Sequence, residues 1–474
     1  MKKLNPVHAA CLQATSVLAC AAFLPVAQAQ QGSQADSPST PEIIVTASRS
    51  EQVLQTAPVG ATIITRAQIE SAGVMDANEA IRKIGGVAAR SDLNGGREYT
   101  LDLRGFGSTS NENTVVLIDG IRISENEQTA ARLSGVSASS IERIEILRGG
   151  AGVMWGEGAT SGVINIILRK GAKDGVFGSV GAALESHIGR EGSAHLSVGS
   201  GKNSYELDAR SISNNGYRNN SRFTHDTASV GFNRRDGDLT LRARLHHDTA
   251  MNRWPGALNF AQFAANPKQT ANPNDWGSNK DTKLSGGIDY KMGAWTATVD
   301  AGVKNRAVSA FQFAALGNTN TQSTQLSPRL AYKRAVGATA LNAVIGIDLN
   351  NWTYKNDHAF SNTGFVFVTR DGKQTNRAMF AATDWLLTSQ TRLVAGYRSE
   401  TIQKSAVDTG FAANYAVNNK VSANELAINQ SISQGLDIYA RLAKSYRVAN
   451  IDDYTSASAT VPLRPQISND KELG

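Results

Sequence analysis

The sequence predicts a membrane β-barrel preceded by a small α+β domain, and three observations carry that prediction. From Gly175 onward apolar and polar residues alternate in segments joined by connections that are alternately short and long. That is the arrangement of a transmembrane barrel with tight turns on one side and larger loops on the other. Residues 1–29 have the make-up of a secretory signal. Between these regions, residues 141–170, IERIEILRGGAGVMWGEGATSGVINIILRK, set two strand-like flanks around a glycine-rich centre.

The signal comprises Lys2 and Lys3, an apolar centre over residues 17–26, and Ala27-Gln28-Ala29 before Gln30, where the mature chain would begin. Val17-Leu18-Ala19-Cys20 resembles a lipoprotein cleavage site, but the apolar run continues past Cys20 and favours the Ala-x-Ala site. Both cysteines, Cys11 and Cys20, fall inside the signal, so the mature chain has neither disulfide nor thiol chemistry. Its loss removes Lys2 and Lys3 and no acid, lowering the formal charge from +7 to +5, too dilute an excess for a nucleic-acid partner. Forty-three glycines and 7% aromatic residues in 474 suit many short strands and turns. Past the N-terminus no run approaches the ~20 apolar residues of a spanning helix. A barrel needs none, because only alternate side chains meet lipid.

Residues 30–40 read as a polar linker, and PEIIVTASR (41–49) is an isolated β-prone segment. Residues 65–72 and 76–84 read as short helices capped by Thr65 and Asp76, the second stopped by Gly85-Gly86. LDLRGFG (101–107) and VVLIDGIRI (115–123) supply strand regions, with Asp119-Gly120 a hairpin signal. Ile144 and Ile146 alternate with Glu145, and residues 163–168 form a largely β-branched run. The glycines between, Gly149, Gly150, Gly152, Gly156 and Gly158, suit a loop packed tightly inside something else. A phosphate loop is the rival reading, but no Gly-Lys-Ser/Thr and no strong helix follow.

In the barrel region strands are expected to start near Val176, Ala194, Tyr205, Thr227, Leu239 and Leu284, then near Trp295, Gln325, Leu341, Ala378, Arg392, Asn424 and Leu436. Short connections fall at 199–203, 235–238, 291–294, 334–339, 388–391 and 433–435, and longer ones at 214–225, 247–280, 309–324, 355–374 and 405–420. Thirteen strands would start on one side and finish on the other, which cannot close a barrel. Glu472-Leu473-Gly474 reads as the opening of one more. His246 and His247 are expected as solvated strand-end residues, and no metal-spaced His/Cys cluster or nucleophile motif is found.

The order RGFG, LIDGIRI, IERIEILRG and VINI resembles the plug domain of TonB-dependent outer-membrane receptors, whose usual ending is IERIEVLRGP...YG..A.GGVINI. Gly150 stands where proline is usual and Trp155 where tyrosine is, which bears on the loop's stiffness. The resemblance implies a bacterial outer-membrane barrel of about 22 strands enclosing the plug, here incomplete by roughly eight or nine strands and so not transport-competent as it stands. It divides the chain into a signal (1–29), a linker with TonB box (30–50), a plug (51–172) and a partial barrel (173–474), with no room before Glu42 for a signalling domain. Glu42, Ile43, Ile44, Val45, Thr46 and Ala47 would be the TonB box, a strand that augments a sheet of the energy-transducing TonB protein.

The implied activity is energy-coupled import without catalysis and without a resident cofactor. The transported ligand would be a ferric siderophore, with cobalamin the alternative. Haem fits less well: Tyr446-Arg447-Val448-Ala449 and Val461-Pro462-Leu463 resemble the flanks of the haem-uptake motif, but no histidine lies between them. A passive porin and an exported enzyme are the rivals from other classes. Loop placement and the resemblance together nominate Arg97, Tyr99, Ser110, Asn111, Trp254 and Trp276 for ligand contact. The resemblance further implies that Arg104 and Arg148 of the plug face Glu472 on the barrel wall.

Overall fold

The computed structural model describes residues 44–45, 49, 52–53, 60–91, 98–172, 174–360, 363–410, 413–433, 436–456 and 463–474. The expected signal, Glu42, Ile43, Thr46 and Ala47 of the expected box, and Arg97 lie outside them.

Strand β1 (Ile44–Val45) pairs antiparallel with β2 (Gln52–Val53). The plug follows as β3 (Gly60–Thr65), α1 (Arg66–Ser71), α2 (Ala77–Lys83), β4 (Ala88–Ser91), β5 (Tyr99–Asp102), α3 (Ser110–Asn113), β6 (Thr114–Ile118), β7 (Ile121–Arg122), β8 (Ile141–Arg148), α4 (Gly152–Trp155) and β9 (Gly162–Leu168). Both expected helices form. Thr65 makes a capping box with Gln68, and the Asp76 carboxylate accepts from the Glu79 amide at 2.9 Å. Burial pushes that buried Asp76 carboxyl up to about 6, against the pull of Arg210.

The plug sheet has the order β3-β8-β9-β6-β7, with β6 parallel to β9 and the other neighbours antiparallel. Its centre explains the largely apolar run of β9, in which the buried Asn165 is the one polar residue. Ile164, Ile166 and Leu168 pack with Ile64, Ile81, Ile144 and Ile146 on one face, while Val163 meets Val115, Leu117 and Trp155 on the other. Asp119 and Gly120 adopt φ of 50° and 81° between the paired Ile118 and Ile121, as a two-residue hairpin turn of right-twisted strands requires.

A 14-stranded antiparallel sheet follows in strict sequence order. Its first half is β10 (Gly175–Glu185), β11 (Gly189–Ser200), β12 (Asn203–Asn214), β13 (Phe223–Asp236), β14 (Leu239–Arg253), β15 (Trp276–Met292) and β16 (Trp295–Gln312). The second half is β17 (Ala315–Val336), β18 (Thr339–Phe360), β19 (Val366–Leu386), β20 (Thr391–Asp408), β21 (Ala413–Ser433), β22 (Leu436–Arg447) and β23 (Gln466–Leu473). Helix α5 (Phe260–Ala265) lies between β14 and β15, and α6 (Ile451–Ser456) between β22 and β23. On β15, Leu284, Ile288 and Tyr290 are exposed while Asn279 and Asp281 are buried, an apolar outer face and a polar inner one. Four tight turns open with glycine: Gly201, Gly237, Gly293 and Gly337, all at φ near 60°. A glycine first in a two-residue turn matches the twist of the strands it joins.

Three expectations need correction. The strand expected to open at Glu472 already starts at Gln466 and is the fourteenth of the sheet, after the thirteen expected. β10 and β23 are its two edges, and among the described residues no register joins them. The connections expected at 309–324, 355–374 and 405–420 are mostly ladder. β16 and β17 stay paired to Gln312↔Ala315 and turn at Phe313-Ala314, because polar residues lengthen a strand as well as apolar ones once its backbone bonds are satisfied. For the same reason His246 and His247 sit inside β14 and not at its end: the His247 Nδ1 atom lies 2.8 Å from Thr282 Oγ1, and the His246 Nε2 atom is buried without a partner.

Candidate functional site

The glycine-rich loop of the plug is seated against the inner wall formed by β18 to β23. A Cβ on Gly152 would stand 3.0 Å from that of Ala423 and 3.1 Å from that of Ser445, and Val153 lies in a cluster with Ile402, Ala423 and Tyr446. Gly149, at φ 114°, lies where a side chain would meet Glu472, Arg441 and Arg104 within about 3.2 Å. Only glycine allows both the conformation and the approach. Polar bonds complete the seat: the Gly150 amide donates to Asp470 at 2.8 Å, and Arg441 donates to the Gly150 carbonyl and to Glu425.

Beside this loop a buried network joins plug, wall and N-terminal segment. Asp348 on β18 accepts from Arg398 at 2.6 Å, from Ser327 at 2.7 Å and from Arg49 at 2.8 Å. The Arg49 guanidinium lies over the Trp155 ring at 4.3 Å and the Phe380 ring at 4.7 Å, so it is paired and stacked at once. Arg398 continues to Glu400 at 2.7 Å, Glu400 accepts from Asn376 at 2.7 Å, and Gln374 and Asn376 both donate to Glu157 of the plug. Arg49 follows the expected box by two residues, so this network ties the chain just past it to the wall.

At the loop end of the barrel the inner wall carries an aromatic group that sequence reasoning missed. Trp352 and Tyr354 are buried together with Ala406 and Ile451 of α6, and Tyr415 stacks on Tyr454 at 3.9 Å. Arg370 bridges Asp408 at 2.6 Å and Asp452 at 2.9 Å, and Asp452 accepts from the Gln128 amide of the plug at 2.7 Å. Trp352-Thr353-Tyr354 already shows the period-two spacing that puts both rings on one face, but only the strand register says that the face is internal. Plug Glu127 pairs with Arg306, while its burial pushes the carboxyl up to about 7.

Among the described residues nominated for ligand contact, Tyr99 and Asn111 share a cavity and the tryptophans lie elsewhere. Tyr99 lies under Arg82 at 4.3 Å and borders a small cavity with Asn111, Thr114 and Leu133. Ser110 is fully buried with no hydrogen-bond partner for its hydroxyl. The Trp254 indole lies across Gly277, where a Cβ would come within 2.2 Å of the ring. Trp276 has the same parity on β15 as Leu284 and Ile288, so the strand's alternation turns it to the outer face.

Of the three plug and wall residues, Arg104 is ion-paired with Glu472, which alternation on β23 places inside. The expected approach of Arg148 to Glu472 is corrected. Arg148 pairs in register with Gly60, so its side chain shares a face with Thr62, to which it donates at 2.6 Å. It also donates at 2.7 Å to the carbonyl of Gly85 just past α2, where a helix dipole favours a cation. Arg441 stands in its place, 3.6 Å from Glu472. A double-mutant cycle by chemical denaturation of the folded receptor should therefore give a coupling of roughly 1–2 kcal/mol for Arg104→Ala with Glu472→Ala, whereas Arg148→Ala with Glu472→Ala should add within about 0.5 kcal/mol.

A small α+β domain bonded by its glycine loop to the inner wall of a transmembrane sheet defines the class of plugged outer-membrane receptors. Residues 53–163 match the TonB-dependent Receptor Plug Domain, and residues 189–474 match the TonB dependent receptor-like, beta-barrel family. The chain belongs to the TonB-dependent receptor family. It is 35% identical over 124 residues to a Vitamin B12 transporter BtuB of Vibrio vulnificus, which is 26% of this chain and 20% of that protein. It is 35% identical over 136 residues to an iron-regulated outer membrane virulence protein of Vibrio cholerae, 27% of this chain and 20% of that one. These matches thus span about a fifth of each relative's length. The ferric citrate transporter FecA in its unliganded form superposes with a TM-score of 0.77 at 18% identity, covering 89% of this chain and 68% of that one. The Pseudomonas aeruginosa ferripyoverdine receptor superposes with a TM-score of 0.76 at 12% identity, covering 91% and 62%. At such identities the superpositions establish the fold.

Proposed function

We propose that the receptor imports a ferric siderophore across the outer membrane, with energy delivered by the TonB protein through the strand at Glu42 to Ala47. The observation that carries this reading is the buried Arg49 latch. A coupling segment fastened to the wall two residues beyond a β-prone strand gives a pull on that strand something to release. Catalysis is not needed. The division into signal, linker with box, plug from 51 to 172 and barrel from 173 belongs to the same reading. So does a ligand site at the loop end, where the Trp352, Tyr354 and Tyr415 group packs against α6.

Cobalamin is the second reading, favoured by the stretch similar to a vitamin B12 transporter. Uptake of iron-55 chelates against labelled cobalamin, in a knockout strain complemented with the full-length gene, separates the two. Val45→Pro should abolish uptake and spare surface binding, because it removes a backbone donor from the augmenting strand. Unchanged uptake would remove the box assignment. Uptake that persists without TonB or proton motive force would favour a passive porin instead.

A further inference from the structure

Three inward-facing side chains on the β11–β12 hairpin form a cluster that neither the glycine-loop seat nor the Arg49 latch uses. His195 on β11 stands directly across from Asp208 on β12, and Glu206 shares the face of Asp208. All three are buried, Glu206 at 1% exposure. One histidine and two carboxylates on separate strands have no local spacing to read in the chain. Antiparallel pairing brings them together.

The contacts assign the imidazole. The Arg169 guanidinium lies against His195 Nε2, and a donor so close leaves no room for a proton there. The ring proton is therefore on Nδ1, which donates to Asp208 Oδ1 at 2.7 Å, while Ser229 donates to the other oxygen of Asp208 at 3.4 Å. The Nε2 lone pair then faces Glu206 Oε2 at 3.2 Å, one acceptor against another. Neither oxygen of Glu206 accepts a hydrogen bond. A buried carboxylate without a donor is costly, and a nitrogen lone pair beside it adds to that cost.

A metal cation between the two atoms would satisfy both. Two ligands about 2.0–2.1 Å from a tetrahedral ion stand about 3.3 Å apart. Nε2 and Oε2 are already at 3.2 Å. Asp208 on the other ring nitrogen supplies the orienting bond that metal-ligating histidines make. Imidazole with carboxylate suits a divalent first-row ion of the zinc class.

Arg169 is the competitor. It follows β9, where the chain passes from plug to barrel, and its carbonyl accepts from Arg244 at 2.9 Å. Its guanidinium also reaches the Ser139 carbonyl, at 3.5 Å. Arg169 borders one cavity between plug and wall and Asp208 another, so a displaced guanidinium and an entering ion both have space.

We propose that His195 Nε2 and Glu206 bind a divalent ion of the zinc class, with Asp208 orienting the imidazole and Arg169 competing for the same lone pair. Binding frees the Arg169 guanidinium from the wall at the passage from plug to barrel. The site stands on β11 and β12, apart from the aromatic group of β18 to β21, and does not depend on the import reading.

The test is titration of the untagged full-length receptor in detergent, stripped with chelator, with zinc alone, followed by calorimetry. Glu206→Gln should lose one zinc per receptor. Asp208→Asn keeps an acceptor for Nδ1 but loses the charge, and should weaken binding about ten-fold. Arg169→Gln should tighten it about ten-fold or more, because a neighbouring positive charge no longer repels the ion. That gain is the opposite of what a purely structural Arg169 would give. X-ray absorption of zinc on the unmodified receptor should show a single imidazole among oxygen ligands, which keeps the test decisive if a variant does not fold.

No zinc bound, an unchanged zinc count in Glu206→Gln, weaker or equal binding in Arg169→Gln, or two or more imidazoles on the ion would each overturn the proposal. An unchanged count would mean an adventitious ion only. None of these outcomes touches energy coupling, which Val45→Pro tests separately.

Discussion

Asp348→Asn should free the N-terminal segment from the barrel wall. The side chain keeps its shape and loses its charge, and that charge faces two cations at once, Arg49 at 2.8 Å and Arg398 at 2.6 Å. Arg398 retains Glu400, whereas Asp348 is the carboxylate that Arg49 contacts. Removing one partner of a buried pair costs about 3–5 kcal/mol, because the other charge stays desolvated. Arg49 has an escape: it can leave its place over Trp155 and Phe380 and take its segment into water. The expected result is a spin label at Val53 whose spectrum changes from immobilised to mobile, with a marked drop in thermal stability. Ser327→Ala, which removes one neutral donor from the same carboxylate, should cost only about 1 kcal/mol and leave the label immobilised. A label equally mobile in the wild type, or unmoved in Asp348→Asn, would show that Arg49 does not hold the segment.

Gly156→Ala carries the second large effect. The residue ends α4 at φ 68° and ψ −138°, a backbone region that L-residues avoid. Its Cβ would stand 2.5 Å from Glu400 Oε2 and 2.8 Å from Arg398 Nε, both fully engaged in the buried network and unable to yield. Strain of about 1–3 kcal/mol and overpacking of a similar size should combine. Gly86→Ala is the matched comparison, at φ 61° with nothing within 4 Å of the new methyl group. It should cost about 1–2 kcal/mol, the strain of a left-handed residue alone. Denaturant unfolding in detergent that ranks the two variants equally would mean that the plug can withdraw from the wall at little cost.

Much of this protein is local in origin, and so was legible in the chain. Thr65 and Asp76 cap helices because a short side-chain oxygen reaches an amide three residues on, whatever surrounds it. Asp119-Gly120 turns the hairpin because both residues tolerate positive φ. The barrel's alternation and tight glycine turns follow from strand geometry alone, and the glycine cluster at 149–158 signalled close packing before any partner was visible.

What the chain could not reveal is which distant residue each local feature meets, since that depends on register. Arg104 and Arg148 end similar motifs beside similar glycines. One reaches Glu472 across 368 positions, while the other turns inward to Thr62 and Gly85, because pairing with Gly60 fixes its face. Trp276 was nominated for the ligand and lies outside, whereas Trp352 went unremarked and lies within, a difference set by strand parity. The latch on Arg49 and the tight seat of the glycine loop exist only once the sheet curves around the domain and brings β18 to β23 to its flank. Alternation implied one face of each strand away from lipid; tertiary structure decided which of the charges on that face meet which carboxylate.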